Sequence, residues 1–467
     1  SYLDAVTIWT GPTPTADQQQ AALTLTATLT RNYPPLPVRI DVDTSAILPK
    51  GDPLTRRIIA IRDSETNGIE IRNPGTPEAV LTISGRGPDL VEQIAEFVDG
   101  RRELAQTGSA VVQSATVPLS SSSTIMTFEQ LGIAMSNSFT GASSTYLGVD
   151  GAAFAAGPIM KATVDLRARY TPTGDDKASL LVKSGSYILA TRRLDQSGEL
   201  DLKFEIPPQT ITSDIGMALE LQYFPGGGTC APLIDRMTFA LDPQSTVEII
   251  PGAVGSGGFS SLPAAFTPEF NVAVDRPEYI RYAAQAINLI AQRTTTLLRP
   301  QLGSLENGAA EKLGLLAVTV GDGMSRIGMQ PPVRITADGQ VGVDGETATN
   351  TVLNGPVGMV QLFAQDGRVV LAIDVPDRTE LVDETFDYIR RLDNGWSSLA
   401  GDVVATGSAG ETVELTIRSD RPVPGRTIRR EGWKWTALAT IVAGAAATAA
   451  AARVLTIRRR QTRQAQE

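Results

Sequence analysis

Carboxylates are the residues of this chain that could do acid–base chemistry, because the sequence contains no histidine. Without imidazole, Ser-His-Asp and Cys-His nucleophilic catalysis and the usual histidine metal sites are excluded. Cleavage of a glycosidic bond requires two carboxylates that face each other across a cleft. The candidates all fall on the polar faces of alternating segments: Asp165, Asp201, Glu205 and Glu220. A solvated strand face explains them better than a catalytic pair, so we predict that the chain is not an enzyme.

Cofactor and metal signals are weak. Residues 82–89 resemble a dinucleotide-binding loop, but Leu90 replaces the third glycine of G-x-G-x-x-G and Pro88 has no amide donor. Asp322 lies between two glycines and is typical of a turn, since a metal site needs several oxygen ligands. Cys230 is the only cysteine, so we expect a buried structural thiol. The sequence therefore predicts no cofactor and no metal.

Aromatic residues in the middle of the chain are the candidates for sugar contact. Carbohydrate binding by a β-sandwich generally requires an exposed aromatic ring that stacks on a sugar ring. Residues 119–250 contain no tryptophan. Tyr146, Tyr187 and Phe224 lie in or beside turns or at the ends of alternating segments, so they are the predicted carbohydrate-binding residues. Core or turn packing is the alternative for each ring.

The hydrophobic pattern that must position these residues changes twice along the chain. Residues 1–118 alternate short apolar runs with helical patterns, which is typical of a layered α/β domain. Residues 119–250 show strict alternation, as in 200–206, which predicts antiparallel strands of a jelly-roll sandwich. After a linker at 251–262, the α/β pattern returns over 263–425.

An Ala-rich apolar run near the C-terminus predicts a membrane anchor at 433–457. About 20 apolar residues are needed to cross a bilayer. Aromatic and basic residues mark its two boundaries: Trp433 and Trp435 on one side, and Arg458, Arg459 and Arg460 on the other. Small residues would let a partner helix approach closely: Gly444, Ala447, Thr448 and Ala451. We therefore predict a docking helix followed by a basic cytoplasmic tail at 458–467, with a lipid-facing tether as the alternative.

The composition of the chain limits the kinds of molecule that it can bind. The net charge of −10 and the pI near 4.9 argue against a nucleic-acid function, because phosphate binding needs a basic surface. Basic residues are about equally frequent on both sides of the predicted anchor, so charge alone does not set its orientation. We expect the large domain on the periplasmic or extracellular side of the inner or plasma membrane.

Three short segments resemble the regulatory B subunit family of bacterial cellulose synthase. They are 127–132 (TFEQLG), 219–224 (LELQYF, followed by Cys230) and 242–249 (DPQSTVEI). The resemblance implies flavodoxin-like domains that alternate with jelly-roll carbohydrate-binding-like domains, and a C-terminal membrane helix docked on the catalytic synthase. That family usually has two sandwich domains, so we expect the first one upstream of Ser1 or absent.

The expected fold is thus two flavodoxin-like α/β domains flanking a jelly-roll β-sandwich, then one C-terminal transmembrane helix. The expected function is a non-catalytic, membrane-anchored accessory subunit of a polysaccharide synthase, which docks on the membrane glycosyltransferase and guides a cellulose-like β-glucan. An independent cell-surface module that binds glycan or protein is the first alternative. A hydrolase with an unrecognised carboxylate pair is the second.

Overall fold

The computed structural model describes thirteen stretches of the chain: residues 3–31, 38–52, 55–76, 78–98, 109–110, 122–173, 177–225, 236–252, 258–294, 296–335, 340–343, 353–354 and 356–417. The predicted anchor and tail lie outside the described residues, with Trp433, Trp435, Gly444, Ala447, Thr448, Ala451, Arg458, Arg459 and Arg460. Cys230 also lies outside them. Within the described stretches, no helix combines the length and the apolar composition needed to cross a membrane.

The first unit is a six-stranded sheet with two helices. Its strands are β1 (Ala5–Trp9), β2 (Arg39–Asp43), β3 (Arg56–Asp63), β4 (Gly68–Arg72), β5 (Val80–Gly85) and β6 (Ser109–Ala110). Its helices are α1 (Ala16–Arg31) and α2 (Pro88–Val98). The strand order is β2-β1-β3-β5-β4-β6. Strands β1, β2, β3 and β5 are parallel, whereas β4 runs antiparallel to both of its neighbours.

The second unit is a sandwich of two antiparallel sheets. Its strands are β7 (Ile125–Thr127), β8 (Ser136–Phe139), β9 (Gly141–Asp150), β10 (Ile159–Tyr170), β11 (Lys177–Ser184), β12 (Tyr187–Arg193), β13 (Glu199–Ile206), β14 (Asp214–Phe224), β15 (Met237–Leu241) and β16 (Thr246–Pro251). One sheet has the order β7-β16-β10-β15-β8, with β13 paired to β10, and the other has the order β12-β11-β14-β9. Alternate residues of each long strand point inward, and together they form one core between the sheets.

The third unit is a seven-stranded mixed sheet with a small sheet beside it. Its strands are β17 (Glu269–Val274), β18 (Arg299–Gly303), β19 (Gly314–Thr319), β20 (Val333–Ile335), β21 (Gln340–Val343), β22 (Leu353–Asn354), β23 (Val357–Gln365), β24 (Arg368–Asp374), β25 (Val403–Gly407) and β26 (Thr412–Leu415). Its helices are α3 (Ile280–Ala291), α4 (Leu305–Ala310), α5 (Gly323–Arg326) and α6 (Glu380–Arg391). The main order is β18-β17-β19-β24-β23-β25-β26, and β20-β21-β22 form the small sheet.

The first and third units share one hydrophobic core, although the sandwich separates them in sequence. Helix α1 packs against α3, and a single buried cluster runs from Ile8 in β1 to Ile290 in α3. The Gln20 side chain of α1 donates to the Pro300 carbonyl at 2.8 Å and accepts from the Leu302 amide at 2.7 Å. The Gln20 side-chain amide thus takes the place of a neighbouring strand along the open edge of β18. Without it, this edge would expose unpaired backbone groups.

The sandwich rests on the beginning of the third unit through backbone hydrogen bonds. The Ser213 amide donates to the Ser260 carbonyl, and the Gly157 amide donates to the Thr267 carbonyl, both at 2.7 Å. These contacts fix the orientation of the sandwich relative to the shared core of the other two units.

The predicted fold class is wrong for the described chain. A flavodoxin-like sheet is parallel, with the order 2-1-3-4-5 and helices on both faces. Here the first sheet contains an antiparallel hairpin strand, and β23, β25 and β26 of the third unit are antiparallel. Strand residues outnumber helix residues by about two to one. The same findings overturn the flavodoxin-like classification, and nothing in the described stretches supports the classification as a single-pass membrane subunit of cellulose synthase.

Candidate functional site

The candidate site is the outer face of the four-stranded sheet β12-β11-β14-β9, called the outer face below. Along β14 the buried residues Ile215, Met217, Leu219, Leu221 and Tyr223 point into the sandwich. The residues between them therefore point away from the core, because side chains alternate along a strand. Small residues make this face flat: Ala142, Ser144, Gly148, Ser179, Gly216 and Ala218.

Tyr146 is the most prominent ring on the outer face. Its side chain is 64% exposed, and its hydroxyl donates to Asp214 Oδ2 at 2.9 Å. The ring lies over Gly216 on the adjacent strand, where an added Cβ would overlap the Tyr146 hydroxyl. Burial of the hydroxyl and the nearby Asp214 carboxylate raise the pKa of Tyr146 to about 12, so the hydroxyl stays protonated. One face of a fixed aromatic ring is thus presented to solvent.

A single row of side chains crosses the sheet from Tyr146. The strand register places Ala218, Lys183 and Ile188 beside it in turn. Lys183 Nζ lies 2.9 and 3.0 Å from the two carboxylate oxygens of Glu220, which neutralises the centre of the face. Ile188 is 66% exposed. The row spans about 14 Å at a strand spacing of ~4.8 Å.

The three predicted rings are not assembled into one platform. Phe224 is 53% exposed and lies on the outer face, six residues along β14 from Ala218. That distance is about 20 Å at a rise of ~3.3 Å per residue. Tyr187 pairs with the buried Ser184, so it lies on the core-facing side at the start of β12. The structure therefore brings Tyr146 and Phe224 to one face and leaves Tyr187 off it.

Ile188 and the Lys183–Glu220 ion pair were missed by the sequence analysis. A β-bulge between Val182 and Lys183 shifts the pairing of β11 with β12 by one residue. Such a shift changes which side of the sheet the following residues face. Residues 187–190 (YILA) are all apolar or aromatic, so the sequence there has no alternation that would reveal the bulge.

The carboxylates that the sequence analysis weighed for catalysis are engaged with cations or lie beside them. Asp165 Oδ2 is 3.2 Å from Arg167, and Asp201 lies directly opposite Arg167 in the register. Glu205 Oε1 is 2.6 Å from Lys161. Asp165, Glu205 and Glu220 thus lie in surface ion pairs on two different sheets, and Asp201 lies opposite an arginine, so the four carboxylates do not form a facing pair across a cleft.

Among the described residues, Asp374 is the carboxyl group with the largest pKa change. It is fully buried at the end of β24, and burial raises its pKa to about 7, although hydrogen bonds from Gln361 and Thr319 oppose the shift. Gln361 Nε2 donates to Asp374 Oδ2 at 2.6 Å and to the Val333 carbonyl at 2.9 Å. This network ties the small sheet to the main sheet, so we assign it a structural role.

The weaker sequence motifs form turns in the structure. Gly85 must be glycine because an added Cβ would lie 2.9 Å from the Leu90 backbone, where β5 turns into α2. The Gly87 amide donates to the Asp17 carboxylate at 3.2 Å, which leaves an acidic group where a phosphate would sit. Asp322 Oδ1 is 3.4 Å from Arg326 Nε in the turn before α5. Among the described residues, no group of three or more Cys, Asp or Glu side chains could hold a metal ion.

Comparison with known proteins leaves the family open. No protein-family model matches the chain, and no curated protein matches it. A structure of infectious bursal disease virus, Gt strain, is 16% identical over 30% of this chain and 35% of that chain, with a TM-score of 0.18. A family two carbohydrate esterase from Clostridium thermocellum, solved with cellohexaose, is 10% identical over 38% of this chain and 59% of that chain, with a TM-score of 0.13.

A two-domain esterase active on acetylated mannans, solved with mannopentaose, is 9% identical. The match covers 53% of this chain and 72% of that chain, with a TM-score of 0.15. This chain thus spans about a third of the viral chain and about three fifths of the Clostridium esterase. At these TM-scores the likenesses carry no argument about fold or function.

Proposed function

We propose that this chain is a non-catalytic accessory protein of polysaccharide synthesis that contacts an extended β-linked glycan through the outer face. The fixed, exposed ring of Tyr146 is the observation that carries the proposal. A sugar ring stacks on a flat apolar surface, and a ring held in place before binding loses little side-chain entropy. Phe224, about 20 Å along the same face, offers a second contact to a chain that extends along β14.

The absence of a catalytic role is part of the proposal. The candidate carboxylates of the sandwich lie in surface ion pairs or, for Asp201, opposite an arginine, and the sequence has no histidine. An acid and a base at a defined separation are needed for glycosidic cleavage. We therefore propose that the sandwich holds or guides a polymer and does not cut it.

The proposed partner is a membrane-embedded processive glycosyltransferase, with this chain on the periplasmic or extracellular side. The short segments at 127–132 and 242–249, which resemble a synthase accessory family, motivate this part of the proposal. In the structure both segments lie next to each other, since the Phe128 amide donates to the Ser245 carbonyl at 2.8 Å. Co-purification of such an enzyme with the full chain from native membranes tests it.

Calorimetry with the full chain and cellohexaose tests the glycan proposal. Tyr146→Ala should weaken binding by about twofold to tenfold, because an aromatic stacking contact contributes roughly 0.5–1.5 kcal/mol. Ile125→Ala is the matched control, since Ile125 is 52% exposed on the other sheet of the sandwich. Equal affinities for the wild type and Tyr146→Ala, or no binding at all, would refute the proposal.

A protein-binding module is the second candidate function, and Ile188 favours it. Ile188 is 66% exposed on the same face as the exposed ring of Tyr146, and together they add apolar area of the kind found at protein interfaces. The two candidates differ in the effect of Ile188→Ala. This change should leave cellohexaose binding intact if the face binds glycan, and it should disrupt a co-purifying complex if the face binds protein.

A further inference from the structure

A polar cavity of about 380 Å³ lies at the edge of the third unit. It is bounded by the edge strand β18, its neighbour β17 and the short helix α4. Helix α4 covers only part of this strand pair because it ends after six residues. The remaining face of the two strands is open and forms the floor of the cavity.

Buried side chains hold one wall of the cavity in place. Asn271 is only 7% exposed, and its Nδ2 donates to Glu311 Oε2 at 2.7 Å. The buried Arg368 guanidinium donates to the Glu311 carbonyl at 2.6 Å and to the Ala309 carbonyl at 2.9 Å. The Glu311 carboxylate and the end of α4 are therefore fixed before any ligand arrives.

The opposite wall of the cavity is strand β18, and a side chain of the first unit holds it in place. The Gln20 side chain bonds the backbone of Pro300 and Leu302, on either side of Gln301. Strand β18 is therefore paired along both edges, by β17 and by this amide. The backbone at Gln301 is therefore held on both sides of the strand.

Several polar groups that line the cavity have no partner among the described residues. Within the described part of the chain, no hydrogen bond or ion pair is formed by the Glu269 carboxylate or by the side-chain amides of Gln301 and Asn307. The amide oxygen of the buried Asn271 is likewise unpartnered there, while its nitrogen holds Glu311. This oxygen is not one of the fully buried unpartnered atoms of the described chain, so it stays accessible from the cavity and can accept a hydrogen bond from a ligand.

We propose that this cavity binds a small, neutral polyhydroxylated ligand of the size of one or two sugar rings. Hydroxyl groups both donate and accept hydrogen bonds, so they match a wall of carboxylate and amide groups. The volume lies near the lower end of the ~300–1,000 Å³ range of small-molecule sites, which excludes a folded polymer segment. Glu269 and Glu311 disfavour an anionic ligand, and Leu302 and Leu313 supply apolar contact for the ring carbons.

The test uses the full chain with glucose, cellobiose and glucuronate as probes, followed by titration calorimetry or ligand-observed NMR. We expect glucose or cellobiose to bind and glucuronate to bind more weakly. Gln301→Ala and Asn307→Ala should each reduce the affinity about fivefold, because each removes a hydrogen bond. Both residues are exposed, so neither change should affect folding. Glu306→Ala, next to Asn307 on the same helix but outside the cavity, is the control and should change nothing.

Binding at the cavity must be distinguished from binding at the outer face of the sandwich. Tyr146→Ala should leave the binding of glucose and cellobiose unchanged, whatever it does to cellohexaose. The inference is overturned if neither neutral sugar binds, if the two cavity variants bind as well as the wild type, or if Tyr146→Ala abolishes the signal. None of these results would decide the proposal for the outer face, which is tested with the longer glycan.

Discussion

Replacement of Asn288 tests whether the first and third units form one folding unit. Asn288 lies on α3 of the third unit and is 1% exposed. Its side-chain amide donates to Thr30 Oγ1 at 2.8 Å and to the Val38 carbonyl at 3.2 Å, both in the first unit. The shared core predicts that Asn288→Ala destabilises both units together.

The size of the expected destabilisation depends on the hydrogen bonds that the partners of Asn288 keep in the variant. A buried hydrogen bond contributes about 1 kcal/mol net, and a stranded buried group costs about 1–3 kcal/mol. The Val38 carbonyl keeps a bond from Gln292 at 3.2 Å, and Thr30 still donates to the Thr26 carbonyl at 2.7 Å. Neither partner is fully stranded, so we expect a loss of about 2 to 3 kcal/mol in the free energy of unfolding.

Native-state hydrogen exchange measures this loss separately for each unit. Amides of β1 in the first unit and β19 in the third should lose the same free energy of protection. Amides of β14 in the sandwich should not change. Asn307→Ala, which replaces an exposed asparagine of the third unit, is the control. A loss confined to β19 would refute the reasoning, because it would show that the first unit is stable without its contact to α3.

Two further predictions concern Asp374 and Gly216. Burial raises the pKa of Asp374 to about 7, so the folded protein binds a proton that the unfolded chain releases near pH 4. The proton on Asp374 contributes its full stabilisation below pH ~4. As the pH rises from ~4 to ~7, the free energy of unfolding should fall by about 4 kcal/mol. Asp374→Asn should remove this pH dependence from denaturant unfolding curves. Gly216→Ala should lift the Tyr146 ring off the sheet, because the added Cβ would overlap its hydroxyl. This change should reduce the free energy of unfolding by about 1 kcal/mol and weaken cellohexaose binding as much as Tyr146→Ala does. Ala218→Ser on the same strand is the control and should change neither stability nor binding.

The positions of many strands and helices could be predicted from the sequence. Residues 200–206 and 217–223 alternate between apolar and polar types, and they lie in β13 and β14 with that alternation in burial. The apolar run from Val6 to Trp9 lies in β1, and the helical pattern from Glu380 to Leu392 corresponds to α6. Periodicity reports which face of an element is buried, so it is sufficient for this level of structure.

Strand order could not be predicted in the same way. Buried strands have similar apolar runs whether their neighbours are parallel or antiparallel, so the apolar runs at 358–364 and 369–374 do not show how they pair. They form the antiparallel pair β23 and β24. The same limit applies to Ile69–Ile71, which lies in the hairpin strand β4.

The candidate site was only partly visible in the sequence. Tyr146 falls out of phase with its apolar neighbours, which indicates an exposed ring. Its contact with Gly216 depends on the register between β9 and β14, and the sequence does not encode that register locally. The bulge in β12 places Tyr187 on the core-facing side of the sheet.

The core shared by α1 and α3 has a consequence for synthesis of the chain. About 250 residues separate the end of α1 from the beginning of α3. At a synthesis rate of ~5–20 residues per second, α1 waits roughly 12 to 50 s for the helix that covers it. During that time its apolar side is exposed while the sandwich is being made and can already fold. The ribosome-bound chain therefore exposes the apolar side of α1 until α3 is made, and chaperone binding during that time would protect it from aggregation.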